Sequence, residues 1–154
     1  MIKKTNPDIK NTLTGLEKLL DEYLVKKAPS LPKQVKEIIV NYGPYLIILS
    51  LVFAVPSVLA LLGIGTLGLP FRFFSGLKFG FSYTLSTLVM LATLVLEAIA
   101  LPSLLKKSSS GWKLMYYSAL ISALHSLLLL NIGSFLIGTV LSLYVLFQIK
   151  SYYK

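Results

Sequence analysis

LMYYSALISALHSLLLLNIGSFLIGTVLSLYVLFQI, residues 114–149, is a run of 36 residues without a single Lys, Arg, Asp or Glu. As one helix it would extend about 54 Å at ~1.5 Å per residue. The hydrocarbon core of a bilayer is only ~30 Å thick. The run carries its own break at Asn131-Ile132-Gly133, where Asn and Gly turn a helix at least cost. It therefore reads as two membrane crossings joined by a tight turn.

Composition agrees with that class. The chain has 154 residues, 55% of them hydrophobic and 14% charged, outside the range of soluble globular domains. It has no cysteine, which excludes disulfides, thiolate metal sites and a Cys nucleophile. A net charge of +9 would ordinarily raise nucleic-acid binding, but its distribution argues against that partner. Eight Lys precede Tyr42, three lie in 106–113, two at the C-terminal end, and none at the 131–134 turn. With four crossings and a cytoplasmic N-terminus, thirteen of the fifteen basic residues fall on the cytoplasmic side, the positive-inside bias of multi-pass proteins. The first 30 residues are polar and lack an apolar signal core, so the first crossing is expected to direct insertion.

In chain order, Asn6-Pro7-Asp8 reads as a helix start, with Asn as cap and Pro at the first helical position. Ile9, Leu13, Leu16, Leu20, Tyr23 and Leu24 follow at helical spacing as one apolar stripe. The polar faces balance four Lys against four acids, which favours contact with protein over anionic lipid. That protein is a partner, another copy, or the chain's own bundle. Ala28-Pro29-Ser30-Leu31-Pro32 reads as a linker. A second amphipathic helix carries Val35, Ile38, Ile39 and Tyr42, and Gly43-Pro44 forms an elbow into the first crossing. Residues 1–43 thus form a cytoplasmic or interfacial segment and 44–154 the membrane domain. Its helices are expected at about 44–64, 82–105, 113–130 and 134–149. Gly63, Gly65, Gly68 and Pro70 are expected to end the first of them, and the Phe-rich stretch around Arg72 to anchor at the interface. Trp112 is placed as an interface residue. The fold class is all-α, a polytopic bundle of four transmembrane helices preceded by amphipathic ones.

Glu97 lies within the second crossing, where an acid costs ~2.5–3.5 kcal/mol on insertion scales. Its side chain is expected to face protein or water. Ser86, Met90, Thr93 and Glu97 share one face, and a depth count sets His125 of the third crossing level with Thr93. Glu97, Thr93, His125 and Ser122 are the candidate buried polar or transport residues. They form either a proton path or a set of hydrogen bonds that fixes helix register. Ser118, Ser122 and Ser126 repeat every fourth residue, as do Ser134, Gly138 and Ser142. Such faces let helices approach closely in lipid, and they are expected to meet each other or to mark a dimer seam. No catalytic residue is assigned: Ser122 and His125 share a face, but no Gly-x-Ser-x-Gly elbow occurs. One His and one membrane acid fall short of a metal site, and no cofactor is implied.

Tyr23-Leu24-Val25-Lys26-Lys27-Ala28-Pro29 leading into Asn41-Tyr42-Gly43-Pro44-Tyr45, with Gly111-Trp112-Lys113-Leu114 and Leu146-Phe147-Gln148-Ile149-Lys150, resembles small uncharacterised four-crossing membrane proteins of candidate-phylum bacteria with reduced genomes. The resemblance implies a membrane location and no activity. A likeness in size to the small multidrug transporters, dimers with a membrane carboxylate, is one of analogy, because here the acid sits in the second crossing and the N-terminal segment is extra. The reading is a non-catalytic structural or accessory component of the cytoplasmic membrane, both termini inside. Its partners are the bilayer and, through the N-terminal helix, a second copy or another membrane protein. The alternative is a dimeric proton-linked transporter that uses Glu97. A cavity reaching Glu97 would favour transport and a sealed core the accessory role.

Overall fold

The computed structural model describes residues 7–67 and 77–154, and among them every regular element is helical. Helix α1 spans Pro7–Asp21 and passes into a π-helical turn, Glu22–Lys27. Its first residue is Pro7, as the sequence suggests; the Asn6 cap lies outside the described residues. The 28–32 linker is non-helical. Helix α2 spans Lys33–Leu67, α3 Leu77–Leu105, α4 Ser109–Leu128. A second π-helical stretch, Ser134–Thr139, leads into α5, Val140–Ile149, and a 3-10 turn, Lys150–Tyr152. Three helical stretches are long and apolar enough to cross a membrane: Lys33–Pro56, Phe81–Leu105 and Ser134–Tyr152. Helix α4 is not among them, because Lys113, His125 and a succession of serines dilute its apolar residues.

One expected break is absent, and α2 passes the first two of the four residues expected to end it before stopping at Leu67. Helix α2 runs without interruption through Gly43-Pro44, so the second amphipathic helix and the first crossing are one element. It also continues through Gly63 and Gly65. A glycine inside a helix costs only ~1 kcal/mol, and proline in apolar surroundings is tolerated when neighbours satisfy the freed carbonyl. The Phe-rich interfacial anchor around Arg72 lies outside the described residues.

Helices α3 and α4 form the most extensive pair. They run antiparallel, in contact near the connecting turn through Gly111 and Leu104 and far from it through Ser86 and His125. The connection is a Schellman turn: Lys107 takes a left-handed conformation (φ 53°), its N–H reaches Leu104 O, and Ser108 N–H reaches Ser103 O. The turn after α4 repeats the arrangement with Leu130 (φ 53°), whose N–H reaches Leu127 O while Asn131 N–H reaches Ser126 O. Asn131 then caps the next helix, its Oδ1 accepting from Ser134 N at 3.1 Å. Glycine ordinarily takes the left-handed position; here Leu130 does, almost fully in the open.

The core gathers at one end. Val40, Ala100, Leu104, Trp112, Tyr116, Leu143, Phe147, Ile149 and Tyr153 form its buried cluster. Trp112 is buried there, not displayed at an interface: it stacks on Tyr116 at 5.6 Å, meets Phe147 edge-on, and donates from Nε1 to Leu146 O at 2.7 Å. The closest backbone approach is also here. A Cβ on Gly111 would sit 2.7 Å from Leu104 N and 2.9 Å from Ser103 C. Away from this end the helices bury little, and large apolar side chains such as Phe53, Leu59, Leu88 and Val95 point outward.

Gly111→Ala is expected to cost ~1–3 kcal/mol, because backbone cannot yield as a side-chain tip can. Gly15→Ala, with nothing within 4 Å, should stabilise by about 0.5–1 kcal/mol. Leu130→Gly should gain about 1 kcal/mol by relieving the left-handed leucine. Thermal unfolding in detergent, followed by Trp112 fluorescence, checks all three.

Candidate functional site

Between α2, α3, α4 and the Ser134–Ile149 helix lies a cavity of about 610 Å³, within the ~300–1,000 Å³ usual for small-molecule sites. Its wall at the core end is apolar, with Ile39, Ile47, Leu104, Met115, Leu146 and Ile149. Toward the other end the lining turns to small and hydroxyl-bearing residues, Ser118, Ser122, Ser126, Ser134, Gly138 and Ser142. Glu97 opens onto the same space from α3.

Both small-residue stripes therefore face one another, as their hairpin connection implies, but across an open space. Nothing lies within 4 Å of a Cβ placed on Gly138. Of the six, only Ser118 is buried. The close approach such stripes permit occurs at Gly111, outside both. The physical reason lies in the π-helical stretch Ser134–Thr139. Its wider turns change the angular spacing of side chains, so residues four apart no longer stack into one straight groove.

The candidate polar residues divide. Glu97 is half-buried and makes no hydrogen bond or ion pair among the described residues. Thr93 donates to Met90 O in its own helix at 2.9 Å. His125 pairs with Ser86, Nε2 to Oγ 2.9 Å. Ser122 lines the cavity. No hydrogen bond joins Glu97, Thr93 and His125. Helix α4 begins at Ser109, one turn before the expected 113. That shift moves its residues one turn along α3, and His125 falls farther still, beside Ser86, seven residues or about two turns from Thr93. Of the three serines on the α4 stripe, Ser118 falls nearest the level of Glu97.

A polar residue that sequence reasoning missed is Gln148, 2% exposed near the end of α5. Its Nε2 donates to Leu24 O at 2.7 Å and its Oε1 accepts from Leu31 N at 3.2 Å. Tyr144 adds a hydrogen bond to Pro29 O at 2.5 Å. Lys150 reaches Glu17 at 2.9 Å and Asp21 at 3.5 Å, and lies over the Trp112 ring at 5.0 Å. These contacts fasten α1 and the linker across the core end. The apolar stripe of α1 follows suit, with Leu20 and Leu24 packed on the core cluster. Tyr153 closes the cavity floor, and burial pushes its phenol above the ordinary tyrosine range. The lone uncharged polar residue in an otherwise apolar 145–149 run was the available signal for Gln148.

No family model, curated protein or solved structure matches the chain.

A double-mutant cycle with Ser86→Ala and His125→Ala should return a coupling of about 0.6 kcal/mol, and not above ~1.7 kcal/mol, the span found for hydrogen bonds between membrane helices. Additive effects would mean the pair does not form. Gln148→Leu leaves a buried carbonyl and N–H without partners. It should speed proteolysis within 28–32 several-fold while the remaining helices stay protected.

Proposed function

We propose that the chain is a non-catalytic, multi-pass protein of the cytoplasmic membrane, and that its cavity serves proton-linked carriage of a small molecule past Glu97. The observation that carries this is the coincidence of the single acid on α3 with a cavity of about 610 Å³ between the helices, unpaired by any described cation. An acid in lipid is costly, and where one occurs it marks a pathway or a partner. A carboxyl with no partner that faces a cavity is suited to exchange a proton for a ligand.

Four crossings are the favoured arrangement. Helix α4 has 20 residues, about 30 Å of helix, and it runs antiparallel along α3 between two spans. Its serines and histidine turn inward or toward the cavity, leaving Leu124, Leu127 and Leu128 exposed. Orientation follows from the lysines. Lys154 N–H reaches Lys107 O, Lys107 Nζ reaches Asn41 Oδ1 at 2.9 Å, and Lys150 closes on α1. One end of the bundle thus gathers α1, the C-terminal residues and nearly all described basic residues, the end that the positive-inside rule favours for the cytoplasm. The absence of catalysis in this proposal rests on the divergence of Ser122 and His125, one on the cavity and the other tied to Ser86.

The accessory reading keeps one specific support. Leu16 and Leu19 of α1 and Tyr23 of the π-helical turn stay exposed, so a strip of this segment is left uncovered by its own bundle and is suited to another membrane protein or a second copy.

Purified protein in liposomes should dissipate an imposed proton gradient, and Glu97→Gln should reduce that flux to the level of protein-free vesicles. Equal flux from wild type and variant would retire the carrier and leave the accessory reading.

A further inference from the structure

We propose that residues 16–36 bind an anionic phospholipid surface, with Leu16, Leu19 and Tyr23 sunk among the headgroups and Lys18, Lys26, Lys33 and Lys36 held to their phosphates. This rests on the membrane placement proposed above and not on the carrier reading.

The charge balance of the sequence is not the balance of the surface. Glu17 and Asp21 turn toward the end of α5, where Lys150 meets them at 2.9 and 3.5 Å, all three side chains about one-third exposed. Glu22 is taken by Lys27 of its own turn at 3.4 Å. Lys18, Lys26, Lys33 and Lys36 make no ion pair among the described residues, and against them stands one unpaired acid, Glu37. The negative charge that Lys150 leaves uncompensated sits on the inner face of the segment. Pairing has therefore consumed the acids and left four lysines available. Each lysine held beside an anionic leaflet strengthens binding about fivefold, and its stem can lie on apolar surface while the ammonium reaches a phosphate. A protein partner would have to supply four acids to match them.

The segment lies beside the bundle and not beyond it. Its contacts run along α5 from Lys150, which holds Glu17, through Gln148, which holds Leu24 and Leu31, to Tyr144, which holds Pro29. They cover about 9 Å of helix at the end of the Ser134–Tyr152 stretch, whose 19 residues match the thickness of a hydrocarbon core. Headgroup depth follows from that match. Leu20 and Leu24 pack on the core, while Leu16, Leu19 and Tyr23, at i, i+3 and i+7, make a second strip that is left exposed. On α2 an exposed apolar face through Ile38, Tyr42, Tyr45, Leu49 and Val52 leads from the same end into the Lys33–Pro56 stretch. Tyr23, Tyr42 and Tyr45 are each more than half exposed, as in an interfacial aromatic belt. They take the place that Trp112, buried in the core, does not fill.

The cysteine-free chain allows a single dye to report the contact. Leu19→Cys carries nitrobenzoxadiazole in nanodiscs that hold one full chain each. The discs are phosphatidylcholine alone, or with about a third of phosphatidylglycerol, and contain a trace of lipid spin-labelled at the headgroup. Phosphatidylglycerol should raise quenching of the dye at least roughly threefold. Salt at about 1 M, where the Debye length is ~3 Å, should remove that gain. Lys18→Gln combined with Lys26→Gln should remove it too, with melting followed by Trp112 fluorescence unchanged. Equal quenching in the two lipids, a gain that survives salt, or a dye shielded from lipid when two chains share a disc would each overturn the proposal. The same dye on Val52→Cys tests the membrane placement separately. Quenching there by lipid spin-labelled in its acyl chain, with no phosphatidylglycerol effect on Leu19→Cys, overturns the headgroup contact alone; an unquenched Val52→Cys overturns both.

Discussion

An apolar exterior obliges the polar groups of this chain to find one another. Large aliphatic and aromatic side chains cover the outer surfaces of α2 and α3, and in lipid an unpaired polar group there costs several kcal/mol. Helix α4 carries the most serine, together with His125, and accordingly takes the central position, against α3 along its length and against the terminal helix across the cavity. Its histidine meets Ser86, its serines meet carbonyls or the cavity, and its leucines look out. Glu97, like the buried Tyr116 hydroxyl, has no protein partner among the described residues, and a cavity lies beside it.

The two ends of the bundle are built differently for the same reason. At the lysine-rich end, Trp112, Tyr116 and Phe147 form an aromatic cluster, and Gly111 lets backbone touch backbone. Gln148 fastens the N-terminal segment over them through two hydrogen bonds to main chain. The ion pairs of Lys150 with Glu17 and Asp21 are about one-third exposed and contribute little, within ~0–1 kcal/mol. Burying Gln148 with both ends satisfied is the stronger tie. Toward the other end, Ala123 and Thr139 are buried among the described residues. Among the described residues, the hairpin turn and the Ser86–His125 contact tie the helices there, beside the cavity.

Much of this could be read from the residues. The uncharged run of 114–149 announced a hairpin, the paired prolines a linker, and the serine and glycine spacing the faces that look at each other. Glu97 stood out because an acid among leucines demands a reason. Three things were hidden. The helix-start signal at Ser108, whose Oγ accepts from Ser110 N, sits among three serines that all fit a cap, so the start of α4 reads one turn late, which accounts for about half of the two-turn displacement of His125 from Thr93 to Ser86. Lys107 and Leu130 occupy left-handed positions that no propensity assigns to them. The distance between the two small-residue stripes depends on a π-helical stretch, which Ser-Phe-Leu-Ile-Gly-Thr does not advertise, so contact and cavity read alike in the sequence.

The proposed function requires Glu97 to face a wet cavity inside a lipid-covered bundle, and the cysteine-free chain allows that to be measured directly. Single cysteines at positions 122, 123 and 124 sample the cavity wall, the packed interior and the outer surface of the same helix turn. In proteoliposomes treated with N-ethylmaleimide, a reagent that needs a water-supported thiolate, Ser122→Cys is predicted to react rapidly. Ala123→Cys and Leu124→Cys should stay slow, the first because it is packed and the second because lipid covers it. Rapid reaction of Leu124→Cys, or a Ser122→Cys as inert as its neighbour, would contradict the account.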